Sequence, residues 1–315
     1  MMSEGSDPVL VAGVLTALAC KGVALDEVVG SAQAMGEKST PVDTSGINVV
    51  LDTCGTGGDV KHTFNISTAA AIIIAACGVK VVKHGNRSAS GRSGSADVLE
   101  HLGVKLEAPK DALRHCLDGA NICFAFARAH HPAMKHIAPV RAALGIPTIF
   151  NLIGPLTNPG KARFQLLGVF RPDLTTVHAA ALRELGSKRA WVVHGEDGLD
   201  ELSTMAPNKI AELRDGQIKS FTLDSQTFDL PRARLEDLQV DSIPSAAEAL
   251  KSVLSGEKTP KRDISVLNAA AGLVVAGVAA SIEQGIMRAE YALDSGAAGQ
   301  TLVRLVSASN GDFNN

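Results

Sequence analysis

Residues Val49 to Gly103 read VVLDTCGTGGDVKHTFNISTAAAIIIAACGVKVVKHGNRSASGRSGSADVLEHLG, and this stretch decides the fold. Val49 to Thr53 is short, apolar and β-branched and runs straight into glycines, the pattern of a buried strand. Glycine fills three of the four positions Gly55-Thr56-Gly57-Gly58. That lets the backbone take positive φ and brings N–H groups to a ligand with no Cβ in the way. Asn65-Ile66-Ser67-Thr68 supplies capping side chains just before the apolar run Ala69 to Ala76, so a helix is expected there, stopped by Gly78. Its free N–H groups and dipole favour an anion. Val79 to Val82 reads as a second strand. The loop after it, Lys83 to Arg92, is cationic and crowded with donors, and Ser95-Ala96-Asp97 opens another helix, Val98 to Leu102, ending at Gly103.

The order is strand, phosphate loop, helix, twice over. Two anion sites on one sheet edge suit a ligand with two separated phosphates. A glycine-rich turn alone is often only a tight turn, but two such loops, each between a strand and a capped helix, are much harder to explain structurally.

Outward from this stretch, Pro8 to Lys21 and Leu25 to Met35 are helix candidates, the second with Asp26 as N-cap, and Lys38 to Ile47 is a turn-forming hinge. After Gly103 the reading is a short strand Val104 to Leu106, a helix Lys110 to Asp118 and a buried strand Ile122 to Ala127. A helix Ala133 to Leu144, kinked at Pro139, follows. Thr148 to Pro159 starts strand-like and becomes a rigid loop. Leu166 to Val169 and Ala190 to His194 are strands around a helix Thr175 to Leu185, and Asp215-Gly216 marks a type I′ hairpin within Ile210 to Leu230. Helices are expected over Asp241 to Ser255, Ile264 to Gln284 and Arg288 to Val306, the last interrupted by Gly296 and Gly299.

The 315 residues are 45% hydrophobic and 20% charged, with a formal net charge of −3. This is the composition of a globular chain with a real core and no global field for nucleic acid or an anionic membrane, so the basic loop is a local device for a small polyanion. Five cysteines without metal-ligand spacing point to a reducing compartment, and the N-terminal segment lacks the pattern of a signal peptide. The apolar stretch Ala269 to Ala280 is too short for a membrane span and reads as a core helix. His130, His131 and His136 are interrupted by Pro132 and read as structural or substrate-contact histidines rather than a zinc site. The loop Gly195-Glu196-Asp197-Gly198-Leu199-Asp200-Glu201 is a second chemical centre. Adjacent carboxylates beside two phosphate loops are what Mg²⁺ needs to bridge pyrophosphate oxygens, although acidic loops are usually only solvated.

Asp52-Thr53-Cys54-Gly55-Thr56-Gly57-Gly58-Asp59, Phe64 to Thr68, Lys83-His84-Gly85-Asn86-Arg87-Ser88 and Gly94-Ser95-Ala96-Asp97 together resemble the anthranilate phosphoribosyltransferase family of tryptophan biosynthesis. So do His130 to Met134, Val140-Arg141, Phe150 to Leu156 and Asp197 to Glu201, so that the resemblance covers nearly the whole chain in order. It implies an α/β fold: a small N-terminal helical domain plus a large α/β domain with a central, mostly parallel sheet. Residues 1–45, completed by a helical segment near 131–147, would form the first, and residues 46–315 the domain that binds phosphoribosyl pyrophosphate. The implied activity is Mg²⁺-dependent transfer of the phosphoribosyl group from phosphoribosyl pyrophosphate to anthranilate, in the cytoplasm. The implied assembly is a homodimer, although the N-terminal helical segment is shorter than the family's usual one.

The resemblance assigns phosphoribosyl pyrophosphate to Gly55, Gly58, Asp59, Thr63, Asn65, Ile66, Ser67, Thr68, Lys83, His84, Gly85, Asn86, Arg87, Ser88, Ala89, Ser90, Gly91 and Ser95. It assigns anthranilate to Gly55, His84, Asn86, His130 and Arg141, and the metal to Ser67, Asp200 and Glu201. Arg141 out of context would be a solvated helix arginine; in context it faces the anthranilate carboxylate, which suits a planar bidentate donor. No residue is assigned as acid or base, because charge stabilisation and positioning can carry a cation-like transition state at an anomeric carbon. Two positions depart from the pattern: Gly91 stands where a second serine is common, and Arg128 where proline is frequent. Two other readings share the architecture, a nucleic-acid-binding relative without catalysis and a pyrimidine nucleoside phosphorylase. The acidic balance and intact first loop speak against the former, and Mg²⁺ dependence would separate the latter.

Overall fold

The computed structural model describes residues 1–88 and 93–312. Its single sheet holds β1 (Val50–Gly55), β2 (Lys80–Gly85), β3 (Ile122–Phe126), β4 (Phe164–Gly168), β5 (Arg189–Gly195), β6 (Asn208–Arg214) and β7 (Gln217–Leu223). The spatial order is β3-β2-β1-β4-β5-β6-β7. The first five strands run parallel, and β6 and β7 add an antiparallel edge. The chain winds from β1 through β2 to β3, then returns to place β4 on the other side of β1. The carboxyl ends of β1 and β4 therefore flank a topological switch point, where open α/β sheets bind ligands.

The described residues form helices α1 (Pro8–Lys21), α2 (Leu25–Glu37), α3 (Ile66–Ala76), α4 (Ser95–His101), α5 (Lys110–Ala120), α6 (Ala127–His130), α7 (Ala138–Leu144) and α8 (Ile149–Ile153). They continue with α9 (Leu174–Glu184), α10 (Leu235–Leu238), α11 (Ile243–Leu254), α12 (Pro260–Val275), α13 (Ile282–Asp294) and α14 (Ala297–Asn310). α3 is apolar all round because it lies between the sheet and α12, with Ile72, Ile73 and Ile74 fully buried. Gly272 lets α12 close on it, since a Cβ there would overlap Ile74. A second core joins Val11 and Leu15 of α1 and Val28, Ala32 and Met35 of α2 to Ile137, Ile149, Phe150 and Ile153. The hinge segment is stitched to the α/β part: Thr40 N donates to His130 O at 2.7 Å and Val42 N to Pro159 O at 3.1 Å.

Several sequence expectations are corrected. Asp26 lies in the first turn of α2, and the N-cap is Ala24, whose amide donates to Glu27 Oε2. α3 and α4 begin at Ile66 and Ser95, so Asn65 and Gly94 are the caps, and Asp97 reaches back to the Gly94 amide. Val104 to Leu106 forms a turn: the Val104 amide closes α4 on the Leu99 carbonyl while both apolar side chains enter the core. The expected helix Ala133 to Leu144 is split at Ile137 into a 3₁₀ turn, Pro132–His136, and α7, whose first turn tolerates Pro139 because its N–H would be unpaired there. Thr148 stands at the N-cap position of α8 rather than starting a strand. Thr259 caps α12 through the Arg262 amide, moving that helix to Pro260–Val275, and Gly277 and Gly296, both at positive φ, separate α12, α13 and α14. Asp215 and Gly216 take φ 53° and 76° as a type I′ turn requires. No helix among the described residues is long and apolar enough to cross a membrane, and the five cysteines are free thiols.

Candidate active site

Two glycines admit the acidic loop to the switch point. Gly55 ends β1, Gly168 ends β4, and the two are register partners. A Cβ on Gly168 would overlap the Asp200 carbonyl oxygen, and one on Gly55 would overlap the Asp200 carboxylate. The loop is anchored from below by Asn268 of α12, which accepts from Leu202 N at 3.0 Å and donates to Leu202 O at 2.8 Å. Asp200 Oδ2 then accepts the Gly57 amide at 2.7 Å, and Glu201 Oε1 accepts the Ser67 amide at 3.1 Å in the first turn of α3.

This is a costly arrangement for bare carboxylates. Burial, followed by the negative charges of Asp59 and Glu201, pushes Asp200 well above the usual carboxylate range. Burial also raises Glu201, opposed by Lys83. Among the described residues no group of three or more His, Cys, Asp or Glu side chains is placed to hold a metal by itself. A carboxylate pair with one hydroxyl fits a different pattern, a Mg²⁺ that keeps waters and takes its other ligands from substrate phosphates.

The cradle beside the pair comes from β1, β2 and α3. Lys83 is 2% exposed, and its Nζ donates to Thr53 O at 2.7 Å and Ser67 Oγ at 3.2 Å, so it steadies the proposed hydroxyl ligand from beneath. Burial lowers its pKa, opposed by Asp52 and Glu201. Asn65 Oδ1 and Thr68 Oγ1 are buried without a partner among the described residues, as groups awaiting a ligand would be. Thr63 bridges to Gln239, and Gly58 lies near Phe170 at φ 92°. Gly85 packs on Ser95, whose Oγ donates to Asn86 O at 3.4 Å, and the Ser88 amide donates to Asp97. Arg87 is held otherwise than its place in the basic loop suggests. Asp97 and Glu100 grip its guanidinium at 2.8 Å, and it lies over Phe126. Ala89, Ser90 and Gly91 lie outside the described residues, as does Arg92.

On the other flank, His84 and His131 face each other with their Nε2 atoms 3.2 Å apart. Burial drives His84 down to about 3 and His131 to about 4, so both rings are neutral. His130 places Nδ1 2.7 Å from Thr40 O at the hinge. Of the two, His131 is the one whose ring meets His84. Nothing in two adjacent histidines distinguishes them in sequence. Arg141 is partly buried over the Phe150 ring, with Nη2 3.4 Å from Asn151 Oδ1 and no carboxylate partner among the described residues. Arg128 is exposed. Asp52, which the sequence reading did not place in the site, is fully buried; its Oδ1 accepts the His84 amide at 3.1 Å, and burial raises it to about 6. Its place inside a strand that ends at the glycine loop was the available signal.

The chain is similar to known proteins over almost its whole length. A family model described as "Glycosyl transferase family, a/b domain" matches residues 48–299. The chain is 49% identical over 310 residues to an anthranilate phosphoribosyltransferase of Methylorubrum extorquens, covering 98% of this chain and 91% of that one. It resembles the crystal structure of anthranilate phosphoribosyltransferase from Thermus thermophilus, with a TM-score of 0.93, 43% identity and coverage of 98% and 92%. The Saccharomyces cerevisiae enzyme in complex with PRPP and Mg gives a TM-score of 0.89 at 27% identity, covering 98% and 89%.

Proposed function

The chain belongs to the anthranilate phosphoribosyltransferase family, and from that premise we propose that it transfers the phosphoribosyl group of phosphoribosyl pyrophosphate to the amino group of anthranilate. The products are N-(5-phosphoribosyl)anthranilate and pyrophosphate, a step of tryptophan biosynthesis. The observation that carries this reading is the Asp200–Glu201 pair, admitted by Gly55 and Gly168 and fastened to the glycine loop and the start of α3.

Ser67, Asp200 and Glu201 fit Mg²⁺, because a buried and a half-buried carboxylate, each pushed up by burial, sit beside a hydroxyl steadied by Lys83. Bound there, Mg²⁺ would neutralise charge on the departing pyrophosphate. The first-turn amides of α3, expected from the sequence to be free, are taken by Phe64 O, Glu201 and Asn65 O. The phosphate oxygens therefore fall to the glycine-loop amides beyond Gly57 and to the Asn65 and Thr68 side chains, and the loop after β2 takes a second phosphate. Gly55, His84 and Asn86 form the wall between donor and acceptor. Arg141, lacking a protein carboxylate, anchors the carboxylate of anthranilate and so orients its amine toward the anomeric carbon. His84 and His131 stay neutral and leave that carboxylate to Arg141.

Residues 1–45 with 131–147 are read as the helical domain and residues 46–315 as the α/β domain, which places Arg141 on the helical side of the cleft. The reading includes a cytoplasmic homodimer. Val9 and Leu10 of α1 are 77% and 69% exposed, an apolar face that a second copy would cover. Light scattering tests the assembly. The activity is tested by following anthranilate fluorescence with phosphoribosyl pyrophosphate and Mg²⁺ and identifying the product by mass. Phosphate-dependent cleavage of a nucleoside without Mg²⁺ would instead mark a phosphorylase.

A further inference from the structure

We infer that Asn151 is a positioning residue for acceptor recognition: it sets the Arg141 guanidinium and leaves a second donor beside it for the carboxylate of an aromatic acceptor. This rests on the reading of Arg141 as the carboxylate anchor.

Asn151 Oδ1 accepts from the Thr148 amide at 2.9 Å and from Arg141 Nη2 at 3.4 Å. Both partners can only donate, so the oxygen is fixed on their side and the amide nitrogen on the other. That Nδ2–H₂ group has no protein acceptor among the described residues. The support is rigid. Thr148 stands at the N-cap position of α8, Ile149 and Ile153 of α8 are buried in the second core, and Phe150 places its ring 5.6 Å from the Arg141 Cζ. Capping alone does not require an asparagine, because an aspartate accepts the same amide. A neutral acceptor has a distinct consequence for Arg141. It fixes one edge of the planar fork without neutralising it, so the charge stays available to an incoming anion. A carboxylate at position 151 would make an internal ion pair and compete with the acceptor.

The test is steady-state kinetics of Asn151→Asp and Asn151→Ala beside Arg141→Gln, varying anthranilate, phosphoribosyl pyrophosphate and, separately, an aniline without a carboxylate. Asn151→Asp retains both accepted bonds and should fold. It should raise the KM for anthranilate about tenfold or more, with kcat and the KM for phosphoribosyl pyrophosphate changed less than about twofold. Asn151→Ala should raise the same KM about fivefold, and neither variant should alter use of the aniline. An unchanged anthranilate KM in both Asn151 variants, with Arg141→Gln impaired, would overturn the inference alone. So would an equal loss with every acceptor. An unchanged anthranilate KM in Arg141→Gln would overturn the underlying reading as well.

Discussion

The Gly57 amide donates to Asp200 Oδ2 at 2.7 Å across 143 residues of chain, joining the phosphate loop after β1 to the acidic loop after β5. The contact is available because the Asp200 backbone runs against the Cα of Gly168. Gly168→Ala should therefore displace the carboxylate pair without touching a ligand. We expect destabilisation on the order of 2–3 kcal/mol by urea unfolding and loss of most activity, because backbone rather than a flexible side chain must move. Wild-type activity in a folded Gly168→Ala protein would show that the close approach is not needed.

Asp200 and Glu201 predict opposite effects on stability and activity. Both are raised first by burial and further by the negative charge of Asp59, so in EDTA the ionised pair costs stability. Asp200→Asn can still accept the Gly57 amide and removes one charge. In EDTA it should unfold at higher temperature, by about 1 kcal/mol of added stability, while Mg²⁺ should stabilise the wild type more than the variant. Equal Mg²⁺ stabilisation of the two proteins in thermal melts would place the cation elsewhere.

His131 gives a pH signature that subtraction isolates. Its folded pKa, about 4, lies below its ordinary value of 6.5, so the unfolded chain binds more protons between those values. Its contribution is fully present above pH 6.5 and is lost as pH falls toward 4. Facing it are His84 and His130, both also lowered by burial, with Lys83 and Asp52 behind them, and these remain in a His131→Gln variant. The stability difference between wild type and His131→Gln should shift against the wild type by about 2 kcal/mol from pH 7 to pH 5. A pH-independent difference in urea midpoints would mean that His131 titrates normally in the fold.

The twofold strand, loop and helix order was legible because it is local: apolar strands, glycine runs and capping residues lie within one stretch of sequence. Asp200 and Glu201 were legible as adjacent carboxylates. What Gly168 does was not, since a glycine at a strand end announces neither which distant backbone will pass it nor why. Arg87 illustrates the same limit. Its place in a basic loop suggested a phosphate ligand, whereas Asp97 and Glu100, a helix turn apart on α4, take its charge. The breaks at Ile137 and Gly277, and the start of α8 after Thr148, escaped the apolar pattern because local caps and turns, rather than periodicity, set those helix ends.

The most direct measurement is the rate of anthranilate fluorescence loss on adding phosphoribosyl pyrophosphate and Mg²⁺, with an Asp200→Asn/Glu201→Gln double variant as control. The wild type should turn over, EDTA should stop it, and the folded double variant should lose activity by at least about a hundredfold at the same Mg²⁺ concentration. Undiminished turnover in the double variant, or none in the folded wild type, would contradict the assignment of this carboxylate pair and its cradle to phosphoribosyl transfer.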